Sequence, residues 1–156
     1  MITQQTIWYF LHLVGVVLWA GGFFYLVMAF IPSLNAGTAS DDRRTIIKQA
    51  ATKFRKISWI AIAVLIVSGI MNCVQRVSIG QEAGIPSGEL LPSGYMGLLG
   101  VKLLIVLGLI VHHALKLIEP REREDGQVGL KSNVTVMLMS LMFILAILMG
   151  LMLITM

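Results

Sequence analysis

Ile7-Trp8-Tyr9-Phe10-Leu11-His12-Leu13-Val14-Gly15-Val16-Val17-Leu18-Trp19-Ala20-Gly21-Gly22-Phe23-Phe24-Tyr25-Leu26-Val27-Met28-Ala29-Phe30-Ile31 contains no Asp, Glu, Lys or Arg, and one imidazole. As a helix rising about 1.5 Å per residue it is long enough for a hydrocarbon core of about 30 Å. Three more apolar runs follow, so spans are expected at about 7–31, 57–74, 97–117 and 134–156. A β-barrel strand would alternate apolar and polar residues over about ten positions, and these runs are apolar throughout. Helices, which satisfy their own backbone groups, are the remaining way to cross lipid.

Composition agrees. The 156-residue chain is 57% hydrophobic and 13% charged, against about a quarter charged in ordinary soluble domains. The expected fold is all-α, a single integral-membrane four-helix bundle. Met1-Ile2-Thr3-Gln4-Gln5-Thr6 lacks the basic flank of a cleavable signal, and the apolar run behind it is longer than a signal's core. The first span is therefore expected to be retained.

Lys and Arg accumulate on the cytoplasmic side of short loops. The first loop carries Arg43, Arg44, Lys48, Lys53, Arg55 and Lys56, the third Lys116, Arg121, Arg123 and Lys131, and the second only Arg76. This predicts an N-out, C-out protein of the inner (cytoplasmic) membrane. The formal charge of +4 follows from that topology and implies no nucleic-acid partner.

In the first loop, Ser40 as N-cap, Asp41 and Asp42 in the first turn, and Ile46, Ile47, Ala50 and Phe54 at helical spacing predict a short amphipathic helix before the second span. It is expected on the cytoplasmic membrane surface, with its basic face toward anionic lipid headgroups or a docking partner. Gln75 to Ser93, rich in Gly, Pro and Ser, reads as a loop. At that length it suits a cap or a docking site for an external redox partner or a larger membrane complex. Glu119 to Gly126 reads as a charged turn, with Pro120 stopping the preceding helix.

Ionisable groups inside a span are costly and mark function by default. They are His12, Lys102, His112 and His113. His12 and Lys102 each lie about five residues into helices that enter from outside, hence at one depth, with His112 and His113 about 15 Å further down. His12, Gly15, Trp19 and Gly22 recur at steps of three and four, so His12 points into the bundle beside small residues that admit another helix. Lys102, Val106, Leu109 and His113 likewise share a face.

Soft donors lie at the depth of His12: Met71 and Cys73 on the second helix, Met149 and Met152 on the fourth. Thioether, thiol and imidazole suit copper(I) or haem iron. The bland counterparts are a hydrogen-bonded interhelical His12, a snorkelling Lys102, methionines filling the core and a buried apolar Cys73. No phosphate loop, CxxC or nucleophile elbow is present, and the spans hold no carboxylate for a proton relay.

Leu11 to Leu26, around His12 and Trp19-Ala20-Gly21-Gly22, resembles the first helix of the copper-resistance D (CopD) family and of the related HemJ-type protoporphyrinogen oxidases. Tyr95-Met96-Gly97-Leu98-Leu99-Gly100-Val101-Lys102-Leu103 resembles the CopD pattern of Tyr-Gly followed by Leu and Lys. With Phe54 and Ser68-Gly69 the likeness spans most of the chain. His113 matches the HemJ His eleven residues past the Lys, whereas Ala29-Phe30-Ile31-Pro32 stands where HemJ has Pro-Arg and a terminal His. The resemblance implies a b-type haem or a role in copper uptake.

Two functional expectations follow. One is membrane electron transfer through haem b on His12, with Met149, Met71 or Met152 opposite, Lys102 on a propionate, and His113 or His112 serving a second haem. The other is copper handling at a site of His12, Met71, Cys73 and Met149. A structural subunit without metal is a third reading. One haem cannot take both His12 and His113, because axial ligands lie about 4 Å apart and these differ by about 15 Å in depth.

Overall fold

The structure, a computed structural model, describes residues 3–37, 40–86, 89–115, 120–122, 128–130 and 133–155. Four helices are long and apolar enough to cross a membrane. The first, α1, starts at Gln4, where the Thr3 hydroxyl accepts from the Thr6 N–H at 3.3 Å and caps a free donor. It continues without a break to Gly37. Helix α2 covers Ser40–Glu82, α3 Ser93–Ala114 and α4 Asn133–Thr155. We call the end that carries Thr3, Glu82 and Ser93 upper, and the opposite end lower.

Helix α1 contains two π-helical segments, Val17–Gly21 and Leu26–Phe30. Each widens the turn, so inward positions fall further apart than a regular helix allows. The buried residues accordingly include both Trp19 and Ala20, then Phe23 and Leu26, and next Ile31, five residues on. The expected His12, Gly15, Trp19 and Gly22 stripe does face α2. A Cβ on Gly15 would stand 2.8 Å from Leu65 Cγ, and one on Gly22 would stand 2.7 Å from Phe54 Cε2. Without a hydrophobic drive in lipid, such close backbone approach supplies the van der Waals contact that holds helices together.

All four helices share one apolar core. Trp19, Ala20 and Phe23 of α1 meet Ala61 and Ile62 of α2, Leu109 of α3, and Met139 and Phe143 of α4. Trp19 lies edge-on to Phe143 with ring centroids 5.0 Å apart, a favoured aromatic geometry. Large apolar side chains cover the outside, with Phe10 63%, Leu104 69% and Met137 71% exposed. In water such a surface would aggregate; against lipid it is the expected exterior.

Two sequence expectations are corrected. The segment around Ile47 is not a separate short amphipathic helix, because α2 is continuous from Ser40 to Glu82. Its apolar stripe is explained by α1: Ile47 is fully buried with Leu26 and Ile31, flanked by Phe30, Leu34, Ala50 and Phe54. No Gly or Pro separates Phe54 from the second span, so nothing stops the helix.

The helix also extends through Glu82, into the stretch expected to be a loop from Gln75. It stops at Gly84, whose φ of +75° suits glycine. There the Ile85 N–H bonds the Gly80 carbonyl and the Gly84 N–H bonds the Gln81 carbonyl, both at 3.0 Å, a Schellman ending. Leu90 folds back onto Gly80. Around the expected charged turn, Pro120–Glu122 pairs antiparallel with Val128–Leu130, and residues 123–127 lie outside the described residues. The Asp125-Gly126 dipeptide between them is a hairpin signal in sequence.

Two polar sites in the helix bundle

The upper site forms on the α1–α2 seam. His12 Nδ1 lies 2.9 Å from Ser68 Oγ, and Ser68 Oγ donates to the Val64 carbonyl at 2.6 Å. A hydroxyl has one proton, and here the Val64 and Leu65 carbonyls, at 2.6 and 3.3 Å, both stand to accept it. On that pairing His12 Nδ1–H donates to Ser68, and the imidazole also bonds the Leu65 backbone. Ligand histidines are held elsewhere in this way, with one ring nitrogen tethered by a second-shell acceptor. Gly69 lies under the ring, where a Cβ would be 3.5 Å from His12 Cε1.

Lys102 completes this neighbourhood from α3. Its Nζ lies 3.2 Å from where a Gly150 Cβ would stand, so the ammonium turns onto α4 within the bundle. It is an electrostatic neighbour of His12 and of Cys73. No carboxylate among the described residues acts on it. A partly buried cation without a counter-charge is costly, which makes the position a candidate for an anionic ligand group.

One turn above His12 and Ser68 stand Trp8 and Asn72. Trp8 Nε1 and Asn72 Oδ1 are both buried without a hydrogen-bond partner. Closer to the upper rim, the Arg76 guanidinium sits 4.3 Å above the Tyr95 ring centroid, within cation–π range. Cys73, a free thiol, is hydrogen-bonded with Tyr95. The upper end thus gathers His12, Lys102, Arg76 and unsatisfied polar atoms.

Met149 precedes Gly150 and so shares the level of Lys102; it is half-buried, as are Met71 and Cys73, while Met152 is exposed. Met71 and Cys73, two residues apart on a regular helix, leave it about 160° apart. They do not share a face. Among the described residues no group of three or more His, Cys, Asp or Glu gathers to hold a metal ion.

The lower site centres on His113, 6% exposed. Its ring meets Trp59 at 5.4 Å, and Trp19 and Phe54 each at 6.5 Å, all edge-on. His113 Nε2 has no hydrogen-bond partner, and neither has the Oγ of Ser58, which is fully buried. His112 Nε2, on the neighbouring flank of α3, is also buried and unpaired. Lys116 lies outside the described residues.

The two sites occupy different levels. His12 meets α2 at Ser68, and His113 meets it between Phe54 and Trp59. That interval of about ten residues corresponds to about 15 Å along α2. Trp19 stands between them, part of the shared core and one wall of the lower site.

Sequence reasoning names His12, Lys102 and His113 but passes over Ser58, Trp8, Asn72 and the Arg76–Tyr95 pair. A polar residue one or two turns from another polar residue on a helix stripe is the available signal: Ser68 and Asn72 are four apart, as are Trp8 and His12. No protein-family model, curated protein or solved structure matches the chain.

Proposed function

We propose that the protein is a CopD/HemJ-like membrane haem protein that takes part in electron transfer, with haem b bound at the upper site. The observation that carries this reading is the tether of His12 Nδ1 to Ser68 beside an unneutralised Lys102. These residues fit the group. His12 Nε2 would ligate iron and Lys102 would pair with a propionate, a charge-assisted contact. Trp8 Nε1–H, orphaned one turn above, offers a further donor to that propionate. The haem, when bound, supplies a one-electron couple.

The protein's own residues do the positioning. Ser68 holds the ring of His12 in place, and the four-helix core excludes water from the lower side. Met149, at the level of Lys102, is our candidate for a second residue that would hold the iron, with Met71 and Met152 as alternatives. His113 is separated from this site by about 15 Å of helix, so any haem on it is a second one.

A copper(I) site on His12, Met71, Cys73 and Met149 is the competing assignment. Two features favour haem over it: Met71 and Cys73 diverge on α2, and the Lys102 cation stands beside the site, opposing a bound metal cation. The distribution of basic loop residues supports both termini outside and the cytoplasmic membrane as location. Arg76 and the turn after Gly84 would then face an external redox partner or a larger membrane complex.

Metal content decides between the assignments. Protein purified in mild detergent should contain iron as extractable b-type haem, near one per chain. Stoichiometric copper without haem would establish the copper site instead, and neither metal would leave a structural subunit.

A further inference from the structure

The geometry points to the lower site, between His113 and Ser58, as a binding site for the hydroquinone head group of a membrane quinol. It stands independently of the haem assignment, because it uses other residues about 15 Å away along α2.

Two unsatisfied polar atoms lie on the packed face between α2 and α3. His113 Nε2 and Ser58 Oγ are both buried and unpaired, and a buried polar group without a partner costs about 1–3 kcal/mol. On α2, where residues step by about 100°, Ser58 projects between Phe54 and Arg55. His113 covers that same face, touching Phe54 and Trp59 and lying beside the Arg55 carbonyl. Since Nε2 is the unpaired nitrogen, the Arg55 carbonyl engages Nδ1–H, and Nε2 is a hydrogen-bond acceptor. Ser58 O–H is a free donor.

A ligand that satisfies both must present one oxygen that donates and accepts. A quinol hydroxyl does this: its O–H donates to His113 Nε2 and its oxygen accepts from Ser58. The walls select a flat, uncharged ring, for Trp19, Trp59 and Phe54 stand around the imidazole. His112 and Arg55 are the other ionisable neighbours among the described residues, and neither is a carboxylate. Trp59 is 44% exposed on the lipid side, and Ile60 beside it is 66% exposed. The flank of the site thus borders the lipid, where a quinol partitions and a water-soluble solute does not.

Photo-cross-linking tests this. Intact protein in lipid nanodiscs is exposed to an azido-substituted ubiquinone analogue, pre-reduced to the quinol, and illuminated. Tryptic peptides are then mapped. Label is expected on the peptides Ile57 to Arg76 and Leu103 to Lys116, suppressed by excess unlabelled decyl-ubiquinol. Ser58→Ala and His113→Leu should each lower it at least fivefold. Ser58→Ala removes one oxygen from a helix face and serves as the variant that keeps its fold, verified by circular dichroism. His12→Ala should retain labelling whatever it does to haem, so the two assignments fail separately. Label spread evenly over lipid-facing peptides, without competition, would overturn the proposal. So would competed label unchanged in both lower-site variants, which would assign the His113–Ser58 pair to a bridging water.

Discussion

At His12, the committed proton of Ser68 determines the chemistry. Replacing Ser68 with Ala removes the acceptor for Nδ1–H while leaving the imidazole in place. Second-shell losses of this kind typically weaken a metal site by about 10–100-fold. We therefore expect Ser68→Ala to purify with haem that is readily stripped by apomyoglobin, measured as an accelerated transfer rate against wild type. An unchanged rate would mean that Ser68 merely satisfies its own helix. Lys102 lies against Gly150, where an added Cβ would stand 3.2 Å from Nζ. Of these details, the sequence discloses the rare residues and their faces. It cannot disclose the tautomer, which depends on a hydroxyl 56 positions away in the chain. Nor can it disclose that Ser58 Oγ and His113 Nε2 are each left unpaired, because that is a property of how two helices are packed.

At the scale of elements, the seam between α1 and α2 depends on glycine. Gly15→Val and Gly22→Leu insert side chains where Leu65 and Phe54 already stand, an overpacking that costs about 1–3 kcal/mol. A Cβ on Gly100 would meet nothing within 4 Å, so Gly100→Ala should be neutral. Unfolding midpoints in mixed detergent micelles measure all three, and equal shifts at Gly15 and Gly100 would refute the seam. The continuity of α2 has its own test. Spin labels at Lys48 and Ile70, both exposed, should lie about 33 Å apart on one straight helix of 1.5 Å rise. A right-angle turn near Lys56 onto a membrane surface would bring them to about 24 Å by the same rise. The amphipathic pattern from Ile46 to Phe54 is legible in the sequence, but periodicity cannot tell whether an apolar stripe meets lipid or another helix. The contact of Ile47 with Leu26 and Ile31 answers that. The end of α2 is hidden for a simpler reason: Gln75 to Glu82 is polar enough to resemble a loop, and the Schellman ending at Gly84 is visible only with its hydrogen bonds.

At the scale of the molecule, four apolar helices share one core and hold two polar sites at different levels. The number of spans follows from four apolar runs, and the separation of the sites from their places in those runs. What the chain faces on each side is a prediction from its basic loops. Single cysteines at Ile85 and at Lys48, in a Cys73→Ser background, should react with a membrane-impermeant maleimide from outside and from inside respectively. Reversed labelling would invert the topology. Haem at the upper site, with the lower site reserved for another ligand, is the central claim. Its most direct test is the dithionite-reduced minus oxidised visible spectrum of wild type, His12→Ala and His113→Leu, purified side by side at equal protein concentration. We predict a b-type Soret and α band in wild type, retained in His113→Leu and lost in His12→Ala. A spectrum without a Soret band in wild type, or one that survives His12→Ala and disappears in His113→Leu, would contradict that assignment.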